Sequence, residues 1–390
     1  MHVDACERVT SAPGLPAHSE RIPGVDAWRA GLMLAGLLVH GSYLQDSRPL
    51  FDVVSFVSAQ FRMGVFMVIS GLLSGMAMSR REAGGWVGAG WIKRRMVRIA
   101  IPLLTGLAVT GPTITMLGYV HALSDRPTPN PFTLHHLWFL FALLLYLPLI
   151  SAFEAVDRRC GVLERFQRNR WSVAKLQMLV FGLTCIASGA LMSATTLALP
   201  RLGLSSLEAD SNAHFITGYA PMFLMGFILG RAPELLAKLV SDTRIPVAAL
   251  AAVLMLQLES SGPDPRSDGV LAFAALVLGL SATPVLCAML VLRSALAIRG
   301  VGPLVHRLCD ASLTMYIVHF PILAVLNVGF GHVSWNVHAE YLAAIGLGGL
   351  MSYGFHHFVV KRSRLAAMLF NGRSLPVQGF LRPTSLRPAD

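Results

Sequence analysis

Long apolar stretches recur along the whole chain, separated by short polar segments. A helix needs about 20 apolar residues to cross the hydrocarbon core of a bilayer. Ten windows approach or exceed that length, namely 25–45, 53–79, 96–120, 137–153, 173–199, 213–232, 244–259, 269–293, 308–330 and 339–360. The pattern predicts an all-α integral membrane protein, a bundle of about ten transmembrane helices.

Composition excludes a soluble globular protein. Hydrophobic residues make up 54% of the chain and charged residues 14%, and the mean hydropathy is +0.59. Soluble domains carry about 25% charged residues, so this chain has too little polar surface to face water. The apolar stretches are continuous rather than alternating, which excludes a membrane β-barrel as well.

The net charge of +11 is distributed in short basic clusters between the apolar stretches. With a cytoplasmic amino terminus, ten crossings assign 27 of the 32 Lys and Arg residues to the inside and four to the outside, with Arg62 inside a span. The positive-inside rule favours this topology, with both termini in the cytoplasm. Basic clusters that flank spans are membrane anchors, so we expect a multi-pass protein of inner-membrane type and no nucleic-acid partner.

Three regions are predicted: a cytoplasmic tail over 1–24, a membrane domain over 25–360 and a basic cytoplasmic tail over 361–390. The first tail has three prolines and no leading apolar stretch, which argues against a cleavable signal peptide. The five cysteines are scattered without a C-x-x-C pair, so neither a disulfide framework nor a metal site is expected.

Titratable residues inside predicted spans mark candidate functional sites because they are costly in lipid. Arg29 and His40 are eleven residues apart, about 1,100° of helix, so they share one face and lie about 16 Å apart along the axis. Asp26 precedes Arg29 by one turn and can pair with it. The structural alternative is a snorkelling Arg29 and a His40 that bonds a neighbouring helix.

Two further polar groups have helical spacing. Arg95 and Arg98 project from one face at the membrane boundary, where two guanidiniums suit a phosphate-bearing ligand. An ordinary positive-inside anchor is the alternative for that pair. Ser312, Tyr316 and His319 are spaced by four and three and form a polar stripe, which suits either catalysis or interhelical hydrogen bonding.

Arg62 lies in the predicted outer half of the second span, too deep for a simple snorkel. It therefore needs a partner, either an acid from another span or a ligand carboxylate. His136 and Trp138 open the fourth span from the outside, where Trp138 also suits an interfacial anchor.

Five segments occur in a recognisable order along the chain. They are Asp26 to Ala30 with His40, Phe61 to Met63 with Ile69 to Gly71, Arg95 to Arg98 with Ile101 and Pro102, His136 to Leu140, and Ala311 to Leu313 with Tyr316 and His319 to Pro321. Together they resemble the membrane acyltransferase-3 superfamily. Within it the chain is most similar to the glucan biosynthesis protein C group, which modifies osmoregulated periplasmic glucans with succinyl groups. One departure is Phe320, which stands where a second histidine is expected.

The resemblance implies O-acyl transfer from cytoplasmic acyl-CoA, used as a co-substrate with no permanently bound cofactor, to a hydroxyl that is usually on a sugar. His40 is then expected to be the general base that takes the hydroxyl proton. The other expected roles are donor binding for Arg29, Arg95 and Arg98; carbonyl polarisation or acceptor alignment for Tyr316, Ser312 and His319; and acyl-group or acceptor binding for Arg62, His136 and Trp138.

The acyl group is expected to be succinyl or acetyl and the acceptor a periplasmic glucan, with another polysaccharide, a lipid-linked sugar or a small molecule as alternatives. Direct transfer, an acyl-enzyme route and a homo-oligomer are all compatible with the sequence. A secondary transporter would also concentrate titratable residues in its spans, but no repeat relates two halves of this chain. An inactive homologue that assists assembly would lose the base, whereas His40 is present.

Overall fold

The computed structural model describes residues 22–43, 49–82, 89–120, 134–204, 212–260, 269–333 and 335–373. Every regular element within these ranges is helical, as the apolar pattern predicts. In chain order the helices are α1 Pro23–Tyr43, α2 Pro49–Glu82, α3 Ala89–Val120, α4 Trp138–Cys160, α5 Val162–Arg168, α6 Val173–Arg201, α7 Ala213–Arg231, α8 Pro233–Leu239, α9 Arg244–Ser260, α10 Gly269–Ala297, α11 Pro303–Phe330, α12 Val337–Phe355 and α13 Arg364–Asn371. A 3₁₀ turn, His135–Leu137, precedes α4, and a π-helical turn, His356–Val360, follows α12.

Seven of the described helices are long and apolar enough to cross a membrane: α2, α3, α4, α6, α7, α10 and α11. An eighth crossing is added if α8 and α9, which bend by 63° at their junction, form one span. The chain is therefore a helical membrane protein. The predicted windows 25–45 and 339–360 fall on α1 and α12, whose polar residues lower their hydropathy. Ten crossings, with both termini inside, stay a prediction.

Helices α2 and α7 lie backbone to backbone at glycines. A Cβ built on Gly71 would lie 2.0 Å from the carbonyl oxygen of Phe223, and one on Gly75 would lie 2.2 Å from that of Phe227. Gly226 of α7 meets the α2 backbone just as closely, at 2.0 Å. Because the contacts advance together along both helices, α2 and α7 run parallel. Small residues allow such close packing in lipid, where apolar surfaces alone do not drive helices together.

Helices α1 and α11 also run parallel, which determines the layout of the polar residues. The thiol of Cys309 donates to the carbonyl oxygen of Asp26 at 2.8 Å near the start of both helices. Further along, the rings of His40 and His319 lie 5.2 Å apart. Arg29 and His40 of α1 therefore lie toward opposite ends of the groove between α1 and α11.

A buried ion pair joins α4 to α7. Arg231, in the last turn of α7, donates to Glu154, and their side chains are only 12% and 7% exposed. Removing either partner would leave an uncompensated buried charge. From the sequence, Arg231 looks like one of the basic anchors at the cytoplasmic end of a span, and a partner 77 residues away cannot be predicted from local spacing.

The region predicted to be a carboxy-terminal tail contains a helix. Residues 364–371 form α13, which packs against α3, α11 and the π-helical turn. Its eight residues are amphipathic and contain no long apolar run, so the hydropathy pattern did not reveal it. Most of the predicted amino-terminal tail and residues 374–390 lie outside the described residues.

The glycine contact predicts a loss of stability on adding one methyl group. Gly71→Ala should lower the stability by about 1–3 kcal/mol, because the new Cβ must displace a backbone oxygen of α7. The measurement is the unfolding temperature of the purified protein in detergent. Gly182→Ala in α6 is the matched control, since a Cβ there meets no atom within 4 Å. Equal unfolding temperatures for the two variants would contradict the prediction.

Candidate active site

A cavity of about 410 Å³ lies between α1, α2, α3, α4, α11 and α13. Its polar lining consists of Arg29, Arg62, Ser70, Arg94, Arg95, Arg98, Ser312, Tyr316, His319 and Asn371. Seven of these are residues that the sequence analysis selected, now brought together from four helices. The other three could not be identified from the sequence. Ser70 lies in a glycine-containing motif, Arg94 in what looked like a membrane anchor, and Asn371 in what looked like a tail.

The cavity wall near the starts of α1 and α3 carries four guanidiniums, those of Arg29, Arg94, Arg95 and Arg98. Those of Arg29 and Arg98 lie close enough to Arg95 to interact with its charge. Arg95 is held in place: it donates to the hydroxyl of Ser74 at 2.7 Å, and its guanidinium carbon lies 5.2 Å from the centre of the Trp91 ring. Guanidiniums gathered beside apolar walls favour a ligand that carries several negative charges. We call this group the basic end.

Arg29 stands between this cavity and a second one of about 250 Å³. Its Nη1 lies 3.7 Å from Oδ1 of Asp26, which confirms the pairing predicted from their spacing. The second cavity is also lined by Cys309 and Asp310. The Arg29 side chain is 30% exposed, so this ion pair is accessible to solvent and to ligands.

Three imidazoles meet at the opposite end of the cavity, which we call the histidine end. The ring centres of His40 and His136 lie 5.2 Å and 5.1 Å from that of His319, and 5.9 Å from each other. Phe320 packs against His40 and His136 at 5.3 Å and 4.9 Å. Of the three histidines only His319 lines the cavity. In the described part of the chain no group of three or more His, Cys, Asp or Glu side chains is placed to hold a metal ion.

The hydrogen bonds of His319 determine its tautomer. Its Nδ1 lies 2.9 Å and 2.8 Å from the carbonyl oxygens of Met315 and Tyr316. Carbonyl oxygens only accept, so Nδ1 must carry the proton. In the neutral ring Nε2 then has a free lone pair, and no hydrogen-bond partner for it exists among the described residues. His319 therefore presents a proton acceptor at the cavity wall.

Two hydroxyls of the α11 stripe already donate their protons to backbone. Tyr316 donates to the carbonyl oxygen of His136, and Ser312 donates to that of Cys309 at 2.8 Å. A hydroxyl has one proton, so in this arrangement neither group has a proton left for a substrate carbonyl. Their oxygens can still accept hydrogen bonds, which suits alignment of a donor group such as a sugar hydroxyl.

The guanidinium of Arg62 lines the cavity beside Gly36 of α1, where no side chain stands in its way. A Cβ built on Gly36 would lie 3.0 Å from Nη1 of Arg62, so the glycine makes room for the guanidinium. Nε of Arg62 donates to the hydroxyl of Ser58 at 2.8 Å. Since Gly36 lies between Arg29 and His40 along α1, Arg62 is placed between the basic end and the histidine end.

The remaining two predicted residues differ in their surroundings. His136 is 4% exposed, and its ring packs against those of Tyr316 and His319 at the histidine end. Trp138 instead stacks on Phe215 and Tyr219, with ring centres 5.9 Å and 6.0 Å away, and is not among the residues that line the cavity.

Comparison with known families agrees with this arrangement. The acyltransferase-3 family model, described as an acyltransferase domain, matches residues 22–357 and so covers most of the chain and nearly all of the cavity. No curated protein and no solved structure matches the chain. The match confirms the superfamily that the sequence motifs indicated. The chain belongs to the acyltransferase-3 family and is a membrane acyltransferase.

Proposed function

We propose that this acyltransferase moves a succinyl or acetyl group from cytoplasmic acyl-CoA to a hydroxyl of a periplasmic glucan at the bacterial inner membrane. The observation that carries the proposal is a cavity with guanidiniums at one end and, at the other, His319 with the ring of His40 packed against it. O-acyl transfer needs both: countercharge for the donor's phosphates, and a base for a hydroxyl that is a poor nucleophile at neutral pH.

The ten-span topology would open the basic end to the cytoplasm, where acyl-CoA is found. Helix directions support the number of crossings in that topology: α1 and α11 correspond to windows one and nine, and α2 and α7 to windows two and six. Each pair would cross in the same direction if every window spans once, and each pair is parallel. The acceptor would then approach the histidine end from the opposite side of the membrane.

The proposed reaction is direct transfer. The acceptor hydroxyl oxygen forms a bond with the thioester carbonyl carbon, the carbon–sulfur bond breaks, and CoA leaves as the thiolate. The hydroxyl proton goes to the imidazole pair His40–His319 and from there to the departing sulfur. His40 was expected to be the base from its motif. The free Nε2 of His319, whose ring lies beside that of His40, supports a part for His319 in accepting the proton as well. With the thioester on the cavity side of His319, His40 would face the acceptor.

The histidine pair can be tested with two substitutions that differ in what they retain. His40→Ala removes one ring, whereas His319→Asn keeps an N–H donor near the position of Nδ1 and removes Nε2 together with its lone pair. Each should lower acyl transfer by about 10²–10⁴-fold with little change in the KM for acyl-CoA, because loss of a general base affects the chemical step. The measurement is release of free CoA by purified protein supplied with acyl-CoA and acceptor.

His306→Ala, at an exposed position at the start of α11, is the matched control and should retain parent activity. Full activity in His319→Asn would show that Nε2 takes no part and would leave His40 as the sole base. Full activity in His40→Ala would contradict the proposed pair altogether.

Arg62 supports succinyl as the acyl group. A dicarboxylic acyl group carries a free carboxylate that acetyl lacks, and Arg62 lies between the two ends of the cavity, where the acyl group of a bound donor would lie. A site that binds a substrate carboxylate through a guanidinium discriminates against an analogue without that carboxylate. The resemblance to the glucan succinyltransferase group points the same way.

Donor competition tests that assignment. With equal concentrations of succinyl-CoA and acetyl-CoA, the parent should transfer succinyl preferentially, and Arg62→Met should lose that preference while it keeps acetyl transfer. The measurement is the ratio of succinylated to acetylated acceptor by mass spectrometry. A parent enzyme that prefers acetyl-CoA contradicts the carboxylate contact and leaves O-acetyl transfer to a glycan or another hydroxyl acceptor as the function.

A further inference from the structure

The carboxy-terminal helix α13 docks on the bundle through specific contacts. Its first turn is capped by Ser363, whose hydroxyl accepts from the backbone N–H of Ala366 at 3.2 Å. Phe370 packs against Phe355 with ring centres 5.0 Å apart. This helix begins beyond residue 357, where the family match ends. It is therefore an addition to the matched domain, and its position has to be explained by this chain's own contacts.

The end of α13 is anchored on the backbone of the basic end. Gly372 has a φ of 61°, and the N–H of Arg373 bonds the carbonyl oxygen of Ala367 at 3.2 Å, which together make a Schellman-type helix end. A Cβ on Gly372 would lie 2.1 Å from the carbonyl oxygen of Arg98. Only glycine permits both this backbone conformation and this approach. The end of α13 thus contacts the backbone of Arg98, which follows Arg94 and Arg95 in α3.

Asn371, the last residue of α13, forms part of the cavity wall. Its side-chain oxygen accepts from the hydroxyl of Thr314 at 2.8 Å. Nδ1 of His356 lies 3.0 Å from the same hydroxyl, and since that hydroxyl's only proton goes to Asn371, His356 must donate. The amide of Asn371 is thereby fixed in orientation, and its N–H groups are what it can offer to a ligand at the basic end.

We propose that Asn371 binds the phosphate-bearing nucleotide end of the acyl donor, with α13 as the wall that completes the donor site. Two neutral N–H donors on the wall of the cavity that the guanidiniums of the basic end also line suit phosphate oxygens, which only accept. The inference rests on the proposed function, because it takes acyl-CoA to be the ligand. It extends the donor site beyond the family domain and into a segment that the sequence alone presented as a tail.

The test places a charge of either sign on the side chain at position 371. Asn371→Asp keeps the oxygen that accepts from Thr314 but places a carboxylate where the N–H groups were. It should weaken binding of free CoA by about tenfold or more, because like charges at a partly buried site repel strongly. Asn371→Lys should bind CoA at least as tightly as the parent, which a folding defect cannot produce. Binding is measured by calorimetry on the full chain in lipid nanodiscs.

Asn327→Asp is the matched control, since Asn327 lies near the far end of α11 and does not line the cavity. It should bind CoA like the parent. Parent-like binding in Asn371→Asp, or equal weakening by Asp and Lys, overturns the inference while acyl transfer by the parent leaves the proposed function intact. A parent protein that binds no CoA overturns the proposed donor, and the role of Asn371 with it.

Discussion

The cost of placing charge inside an apolar helical bundle underlies the whole arrangement. An ionic or titratable side chain within a span must face a partner, a cavity or water. In this protein Glu154 and Arg231 meet the requirement by pairing with each other, and Arg29 meets it with Asp26. Arg62, Arg94, Arg95, Arg98 and His319 line one cavity together with Arg29, and this cavity is where chemistry on a charged substrate can take place.

Close helix packing makes that cavity possible. Helix α2 contributes Arg62, Ser70 and the Ser74 that holds Arg95, and its position is set by backbone contact with α7 through glycines. Because cavity-lining and packing residues lie on the same helix, movement of α2 would shift both Arg62 and the support of Arg95. The glycine of the Ile69-Ser70-Gly71 segment is thus explained by packing, whereas its serine lines the cavity.

Much of this could be predicted from the sequence, for physical reasons. A long apolar run leaves little choice but a membrane helix, and each predicted window falls on a described helix. Helical spacing also placed Arg29 with Asp26, and identified the stripe of Ser312, Tyr316 and His319 that lines the cavity. These features depend on neighbours within one helix, which local periodicity reports directly.

Contacts between distant parts of the chain could not be predicted in the same way. The tautomer of His319 follows from where its ring lies against two carbonyl oxygens, and spacing alone does not say which nitrogen is used. Trp138, chosen from its motif, turns out to stack on α7 instead of lining the cavity. Helix α13 was missed because eight amphipathic residues give no strong hydropathy signal, although their docking shapes the basic end.

Transfer of an acyl group to a glycan is the central claim, and the acceptor itself gives the most direct measurement. Periplasmic glucans and surface glycans from cells with and without this protein can be compared by mass spectrometry, with His319→Asn as a further strain. The account predicts a succinyl or acetyl ester on one glycan class in cells that carry the parent, absent without the protein and strongly reduced with the variant. Identical spectra from all three strains would contradict it.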